Sequence, residues 1–163
     1  MMRGAVAAER HKPAAACLVR PFDSNDASFV REIFQNSPQA GAFAPDSSEQ
    51  PSGFAGPLAL VSESQGDVTG FLLGREVADE AEIFNLAVAP HYRRQGHAAA
   101  LVTSALEGMS SRGIQRVFLE VRESNFGAIS FYEKLGFIKN GRRKGYYRHP
   151  DEAAITMEKK LTG

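Results

Sequence analysis

The stretch from Ile83 to Val102 constrains the fold more than any other part of the chain. It joins a strand pattern to a helix pattern through a short basic turn. Ile83, Phe84, Leu86 and Val88 are β-favouring or apolar, and Pro90 ends the run. Leu101, Val102, Ala105, Leu106 and Met109 recur at the three-and-four spacing of one helix face. Between them lies Arg93-Arg-Gln-Gly-His-Ala98. Gly96 lets backbone approach a ligand closely, and the helix that follows presents unpaired N–H groups at its positive dipole end. Arg93 and Arg94 add full charges. Such a turn suits a phosphate group. The alternative is a surface turn with solvated arginines. A phosphate loop ending in Gly-Lys-Ser/Thr and a three-glycine dinucleotide turn are both missing here.

The surrounding chain fits one domain. Its 163 residues suffice for a full core, and a formal net charge of zero argues against a dedicated nucleic-acid binder. No apolar run reaches the ~18 residues of a membrane span. Together with the cysteine count, this leads to an expectation of a cytoplasmic protein without membrane or nucleic-acid partners. The single Cys17 excludes an internal disulfide and fits a reducing compartment. Its apolar neighbours predict a buried strand thiol rather than a nucleophile. His91, His97 and His149 lack ligand spacing, so no metal is implied and each reads as a surface or loop residue.

Residues 1–16 are Ala-rich and read as a disordered tail that contains His11, with the domain over 17–163. Cys17 to Arg20 is a first strand. Asp23, Ser24 and Asn25 start a helix whose face is Phe29, Val30, Ile33 and Phe34. Residues 37–57 form a long irregular segment with Phe43 and Phe54 as packing residues and a short helix near Ser47 to Gln50. Leu58–Ser62 and Val68–Val77 are strands joined by a turn at Gly66-Asp67, and a second turn near Asp79-Glu80 leads into the strand before the basic turn. After the central helix, Arg116–Val121 is a buried strand. Ser124-Asn125 begins a helix stopped at Gly136. Phe137-Ile138 opens a strand, Gly141–Glu152 is a basic and aromatic connection, and Ala153–Lys159 closes the sheet. The order β-α-β-β-β-α-β-α-β-β predicts an α+β fold with a mixed central sheet of about seven strands flanked by helices.

Two further motifs carry chemistry. Strand alternation puts Val117, Leu119 and Val121 on one face and Phe118 and Glu120 on the other. A carboxylate in such a run is costly to bury unless it is paired or used. Glu120 is therefore either half of a salt bridge, with Arg122 or Arg116, or a reactive group. Asn125 reads as an N-cap. Tyr132, seven residues on, lies on the same helix face and reads as a packing residue with its hydroxyl satisfied.

Taken together, Phe84-Asn-Leu-Ala-Val-x-Pro90, Tyr92-x-Arg-Gln-Gly96, Leu119-Glu-Val-Arg-x-Ser-Asn125 and Tyr132-x-x-x-Gly-Phe137 resemble the GNAT N-acetyltransferases. Tyr146-Tyr147, Glu152-Ala153 and Met157 extend the likeness to the ribosomal-protein-alanine (RimI-like) branch, over roughly residues 68–160. The resemblance implies the GNAT fold and acetyl-CoA as co-substrate. It implies that the strand Leu86, Ala87, Val88 binds pantetheine through its backbone. Arg93, Arg94, Gln95, Gly96, His97, Ala98 and Ala99 would hold the pyrophosphate, and Asn125 would contact the cofactor. Glu120 would be the general base and Tyr132 the general acid, with Tyr146 and Tyr147 lining a peptide entrance. Ala98 stands where the family often has a second glycine. Ala99 replaces a frequent basic residue, which lowers the expected phosphate affinity. Residues 37–57 depart from the branch, whose corresponding segment shapes the acceptor site.

The implied reaction is direct acetyl transfer to a primary amine, with a backbone N–H near Val88 polarising the thioester carbonyl. A peptide or protein α-amine is the favoured acceptor, since its ordinary pKa of about 8 makes deprotonation milder than the ~10.4 of lysine. A small-molecule amine or a lysine is the alternative. An acyl-CoA sensor without turnover is a reading of another class. The sequence fixes neither the acceptor's identity nor the oligomeric state.

Overall fold

A computed structural model describes residues 17–37, 58–148 and 150–161. The expectations for 1–16, for Phe43, Phe54 and the short helix near Ser47, and for His149 lie outside the described residues. Seven strands and three α-helices follow the predicted order: β1 (Leu18–Pro21), α1 (Ala27–Gln35), β2 (Ala59–Ser64), β3 (Asp67–Val77), β4 (Glu80–Val88), α2 (His97–Ser111), β5 (Arg116–Arg122), α3 (Phe126–Lys134), β6 (Ile138–Tyr147) and β7 (Glu152–Lys160). They form one mixed sheet in the order β1-β2-β3-β4-β5-β7-β6. Only β4 and β5 run parallel, because the α2 crossover joins them.

The sheet has an apolar cluster on each face. On one side Leu101, Val102, Ala105 and Met109 of α2 and Ile129 and Tyr132 of α3 pack on Leu72, Ile83, Val117, Leu119 and Met157. On the other, Val30 and Ile33 of α1 pack on Ala59, Val61, Phe71, Leu73 and Ala87. Each buried aliphatic side chain of this kind contributes about 1.5–3 kcal/mol. α1 departs from its predicted face at Phe29, which is half exposed at 51%. A single helix turn by itself does not reveal how far the sheet extends beneath it.

Several boundaries differ from the sequence reading. The β2–β3 turn is Gln65-Gly66, both at positive φ, one residue earlier than Gly66-Asp67. The next turn is Ala78-Asp79, with Ala78 also at positive φ. Cys17 precedes β1 and is half-buried, not a buried strand residue; burial pushes its thiol pKa up. The largest correction is β6. Residues 141–147, expected as a connection, continue a strand. β6 is the edge of the sheet and nine of its ten residues are exposed, so no apolar alternation marks it.

Two bulges shape the middle of the sheet. Ser62 pairs with Gly70 and Glu63 with Val68, which leaves Thr69 as an extra residue in β3. Leu73 pairs with Asn85 and Gly74 with Ile83, which leaves Phe84 as an extra residue in β4. An extra residue bends a strand and exchanges its faces. The packing shows the exchange: Ala81 and Ile83 join the α2 side, Leu86 also packs there, and Ala87 joins the α1 side.

Candidate active site

The bulge at Phe84 sits where β4 parts from β5. The two strands pair only from Glu80–Arg116 to Ile83–Leu119, although β4 continues to Val88 and β5 to Arg122. Between the separated ends opens a cleft of about 420 Å³, lined along β4 by residues from Ile83 to Val88 and along β5 by Leu119, Glu120, Val121 and Arg122. Ser37, Arg93, Ala98 of α2, Asn125, Ala128, Phe131 and Tyr132 of the α3 region, and Tyr147 of β6 complete its wall. The N–H of Ala89 donates to Thr69 O of β3 at 2.7 Å. Strand geometry alternates the edge each residue serves, so Ala87 bonds towards β3 while Leu86 and Val88 turn their backbone groups to the cleft. An extended chain bearing amides fits that edge as an added strand.

The basic turn closes one end of the cleft. Gly96 caps α2 at φ 86, and no side chain caps the first N–H groups. Open space surrounds the Gly96 α-carbon on its side-chain side. Arg94 adopts φ 61. Backbone N–H groups at this helix start, Ala98 and Ala99 among them, remain for a ligand. The side chains of the turn mostly build the turn itself. Arg93 Nε donates to Val88 O at 3.0 Å, and Arg93 Nη2 donates to Asn36 O at 3.0 Å and to Ser37 Oγ at 3.1 Å. It thereby ties the carbonyl end of α1 to the end of β4, where a cation is favoured. Gln95 Nε2 donates to His91 O at 2.8 Å. His97, expected at the surface, is buried at 2% exposure. Its Nδ1 lies 2.8 Å from Thr69 Oγ1, which lies 2.8 Å from Ser62 Oγ. The bulge at Thr69 aims that hydroxyl at the helix start. Burial lowers the His97 pKa and keeps the ring neutral beside the helix dipole. Among the turn's long side chains, Arg94 alone carries no internal hydrogen bond among the described residues.

The other end of the cleft holds the titratable groups. Glu120 is paired, but with Arg143 of β6 rather than with Arg122 or Arg116: Arg143 Nη1 donates to Glu120 Oε1 at 2.7 Å. Arg122 instead bonds Glu152, and Arg116 approaches Glu158. Tyr146 lies close to Glu120, and interaction with that carboxylate, followed by burial, pushes the Tyr146 pKa up to about 12. Tyr147 is buried, and burial followed by the nearby Glu120 charge pushes its pKa up to about 12 as well. The two tyrosine rings meet edge to face at 5.0 Å. The Arg122 guanidinium lies 4.4 Å from the centre of the Tyr147 ring. Tyr132 is buried between Phe131 and Phe137, with ring centres at 5.1 and 5.5 Å, and burial raises its pKa well above the ordinary tyrosine range.

The turn before α3 is held from β7. Glu152 Oε1 accepts the Ser124 N–H at 2.6 Å and Oε2 accepts Arg122 Nη1 at 3.3 Å, so the Glu152 pKa is lowered first by Ser124 and then by Arg122. Asn125 does cap α3, accepting the Ala128 N–H at 3.1 Å, and also lines the cleft.

Glu120, Asn125, Tyr132, Tyr147, Ala98 and Leu86–Val88 therefore share one cleft, with Tyr146 at its mouth through Glu120. Sequence reading has Glu152 only as part of the likeness, without its hold on Ser124 and Arg122, and overlooks Arg143 and the Thr69–His97 contact. A lone carboxylate in an apolar strand signals the need for a cation, and the run Arg142-Arg143-Lys144 offers three. Nothing local tells which of them reaches. Among the described residues, no group of three or more His, Cys, Asp or Glu side chains is placed to hold a metal ion. None of the helices described is long and apolar enough to cross a membrane.

Comparison with known proteins agrees with this architecture. The sequence model of the acetyltransferase (GNAT) family matches residues 15–137. A [ribosomal protein bS18]-alanine N-acetyltransferase of Escherichia coli (strain K12) is 43% identical over 94 residues, which cover 56% of this chain and 64% of that protein. The match thus spans just under two thirds of the relative's length. The crystal structure of the Escherichia coli ribosomal-protein-S18-alanine N-acetyltransferase superimposes with a TM-score of 0.77 at 32% identity, covering 91% of this chain and 97% of the other. Ard1 from Thermoplasma volcanium gives a TM-score of 0.77 at 29% identity over 91% and 99%. With its split β4–β5 edge, its glycine-capped helix start and a family match over most of its length, the chain belongs to the acetyltransferase (GNAT) family.

Proposed function

We propose that this chain moves the acetyl group of acetyl-CoA directly to a primary amine, most favourably the α-amine of a peptide or protein N-terminus. The observation that carries the reading is a single cleft with an open strand edge, a carboxylate and a buried phenol. Pantetheine lies along Leu86–Val88. The N–H groups from Gly96 to Ala99, with the Arg94 charge, hold the pyrophosphate, while Arg93, Gln95 and His97 keep the turn in shape. Asn125 borders the cofactor. The Val88 N–H faces the thioester carbonyl; Val88 O is already taken by Arg93. Glu120, directly or through water, takes the proton that the amine must lose. Tyr132, held protonated by its raised pKa, gives a proton to the departing thiolate. Tyr146 and Tyr147 line the acceptor's approach. The acceptor class draws support from the Escherichia coli relative, which acts on an alanine of a ribosomal protein.

Calorimetry with acetyl-CoA, followed by mass spectrometry of a peptide beginning with alanine, tests the reading. Binding of acetyl-CoA and acetyl on the α-amine are expected. Acetyl found only on lysine side chains would move the acceptor to another class, and no acetyl-CoA binding would sink the proposal.

A further inference from the structure

We propose that Arg143 guards the acceptor side of the cleft: it holds Glu120 until an amine displaces it, so that the carboxylate serves the acceptor and not water. This rests on the reading of Glu120 as the base. An amine that gives its proton to Glu120, or the water that relays that proton, must come within about 2.6–3.2 Å of the carboxylate. Arg143 Nη1 fills that place now, 2.7 Å from Glu120 Oε1. Its guanidinium also lies 5.4 Å from the centre of the Tyr146 ring. A carboxylate beside an aromatic face is a cation site, and here a side chain of the chain itself occupies it.

The neighbouring arginines are placed differently. Arg122 is 17% exposed and bonds both Glu152 and Pro150 O. Arg142 pairs with Glu123 and not with Glu120. Arg143 is 59% exposed while its partner Glu120 is 16% exposed. The base is thus sheltered and its cover is free to leave. β6 favours this: Arg143 pairs with Ala154 and Tyr147 with Glu152, so two extra residues bow the strand between them, with Gly145 at φ 62. With its cation largely in solvent the pair is weak, so an incoming amine can replace Arg143.

The guard has a chemical purpose. With acetyl-CoA bound and no amine present, a free Glu120 can take a proton from water instead. The water oxygen then bonds to the thioester carbonyl carbon and the C–S bond breaks. Acetic acid leaves, the thiolate of CoA takes a proton from Tyr132, and the proton held by Glu120 passes through solvent to restore Tyr132. Arg143 on Oε1 suppresses that loss.

The test compares wild type, Arg143→Ala and Arg143→Lys. Calorimetry reads the affinity of a peptide beginning with alanine for the CoA-bound protein, and thiol release reads acetyl-CoA hydrolysis without acceptor. Arg143→Ala is expected to bind the peptide about 3- to 10-fold more tightly and to hydrolyse acetyl-CoA faster by a similar factor. Arg143→Lys, which keeps a cation, falls between. Peptide affinity that is unchanged or weaker in Arg143→Ala overturns the proposal, and so does unchanged hydrolysis where wild type transfers acetyl. A wild type that binds acetyl-CoA but transfers nothing overturns the proposed function instead, and the peptide affinities then decide Arg143 alone.

Discussion

The two ends of the cleft are built by different means. At the basic turn the protein offers backbone, and its side chains bond back to hold that backbone: Arg93 on Val88 and α1, Gln95 on His91, His97 on Thr69. At the far end it offers side chains, carried partly on an exposed edge strand and held by ion pairs and ring contacts: Glu120 with Arg143, and Tyr146 against Tyr147. Backbone donors suit a ligand that never changes, because few substitutions move them. Exposed side chains on an edge strand are free to change without disturbing the core. A donor common to many reactions and an acceptor peculiar to one would produce this division.

The comparison predicts separable failures. The largest is expected at Glu120. Glu120→Gln keeps the shape and removes the proposed base, so kcat should fall by about 10²-fold or more, the usual scale for a positioned general base. Affinity for acetyl-CoA, read by calorimetry, should hardly change. A parallel loss of cofactor affinity would mean that the two ends are not independent. At the turn, Gly96→Ala reverses the pattern. The added Cβ meets no atom, yet φ 86 strains any L residue by about 1–2 kcal/mol. Acetyl-CoA affinity should fall by roughly 5- to 30-fold as the turn shifts to relieve it. The rate at saturating acetyl-CoA should stay near wild type. A rate loss without an affinity loss would remove Gly96 from the phosphate site.

The same division explains what the sequence discloses. The strand, turn and helix from Ile83 to Val102 are legible because each signals within its own window: β-favouring residues, a glycine, then apolar spacing. Glu120 and Tyr132 are legible as positions but not as partners, since Glu120 meets Arg143 from a strand 23 residues on. β6 hides because an edge strand open to solvent has no face to alternate. The bulges at Thr69 and Phe84 hide because one extra residue leaves composition untouched while exchanging the faces of everything after it. His97 misleads for that reason. It stands in a polar turn, yet the bulge at Thr69 supplies a buried hydroxyl for it, so a residue expected in solvent becomes an anchor.

That anchor gives the two smallest effects. Thr69→Val keeps the volume and removes the bonds to both His97 and Ser62. Stability should fall by about 1–2 kcal/mol, the usual net worth of two hydrogen bonds, with a few-fold loss of acetyl-CoA affinity and kcat unchanged. A denaturant midpoint equal to wild type would show that the contact holds nothing.

The pH dependence is subtler and has a definite sign. Burial lowers the folded pKa of His97 below its ordinary 6.5. Between that value and the folded pKa the unfolded chain binds a proton that the folded chain refuses, so stability declines as pH falls through this window. Among the described residues, the ring's contacts bring no compensating charge: Thr69 and, behind it, Ser62 are neutral, and Tyr92, whose ring centre is 5.5 Å from that of His97, spends its hydroxyl on Asp67 at 3.1 Å. The helix start adds a positive dipole, which disfavours imidazolium further. His97→Gln removes the titrating group. Thermal midpoints taken from pH 7.5 down to pH 5.5 should therefore drop more steeply for wild type than for His97→Gln. Parallel curves would mean that His97 takes up its proton in the folded chain as readily as in the unfolded one, and that the basic turn is not held by a neutral ring.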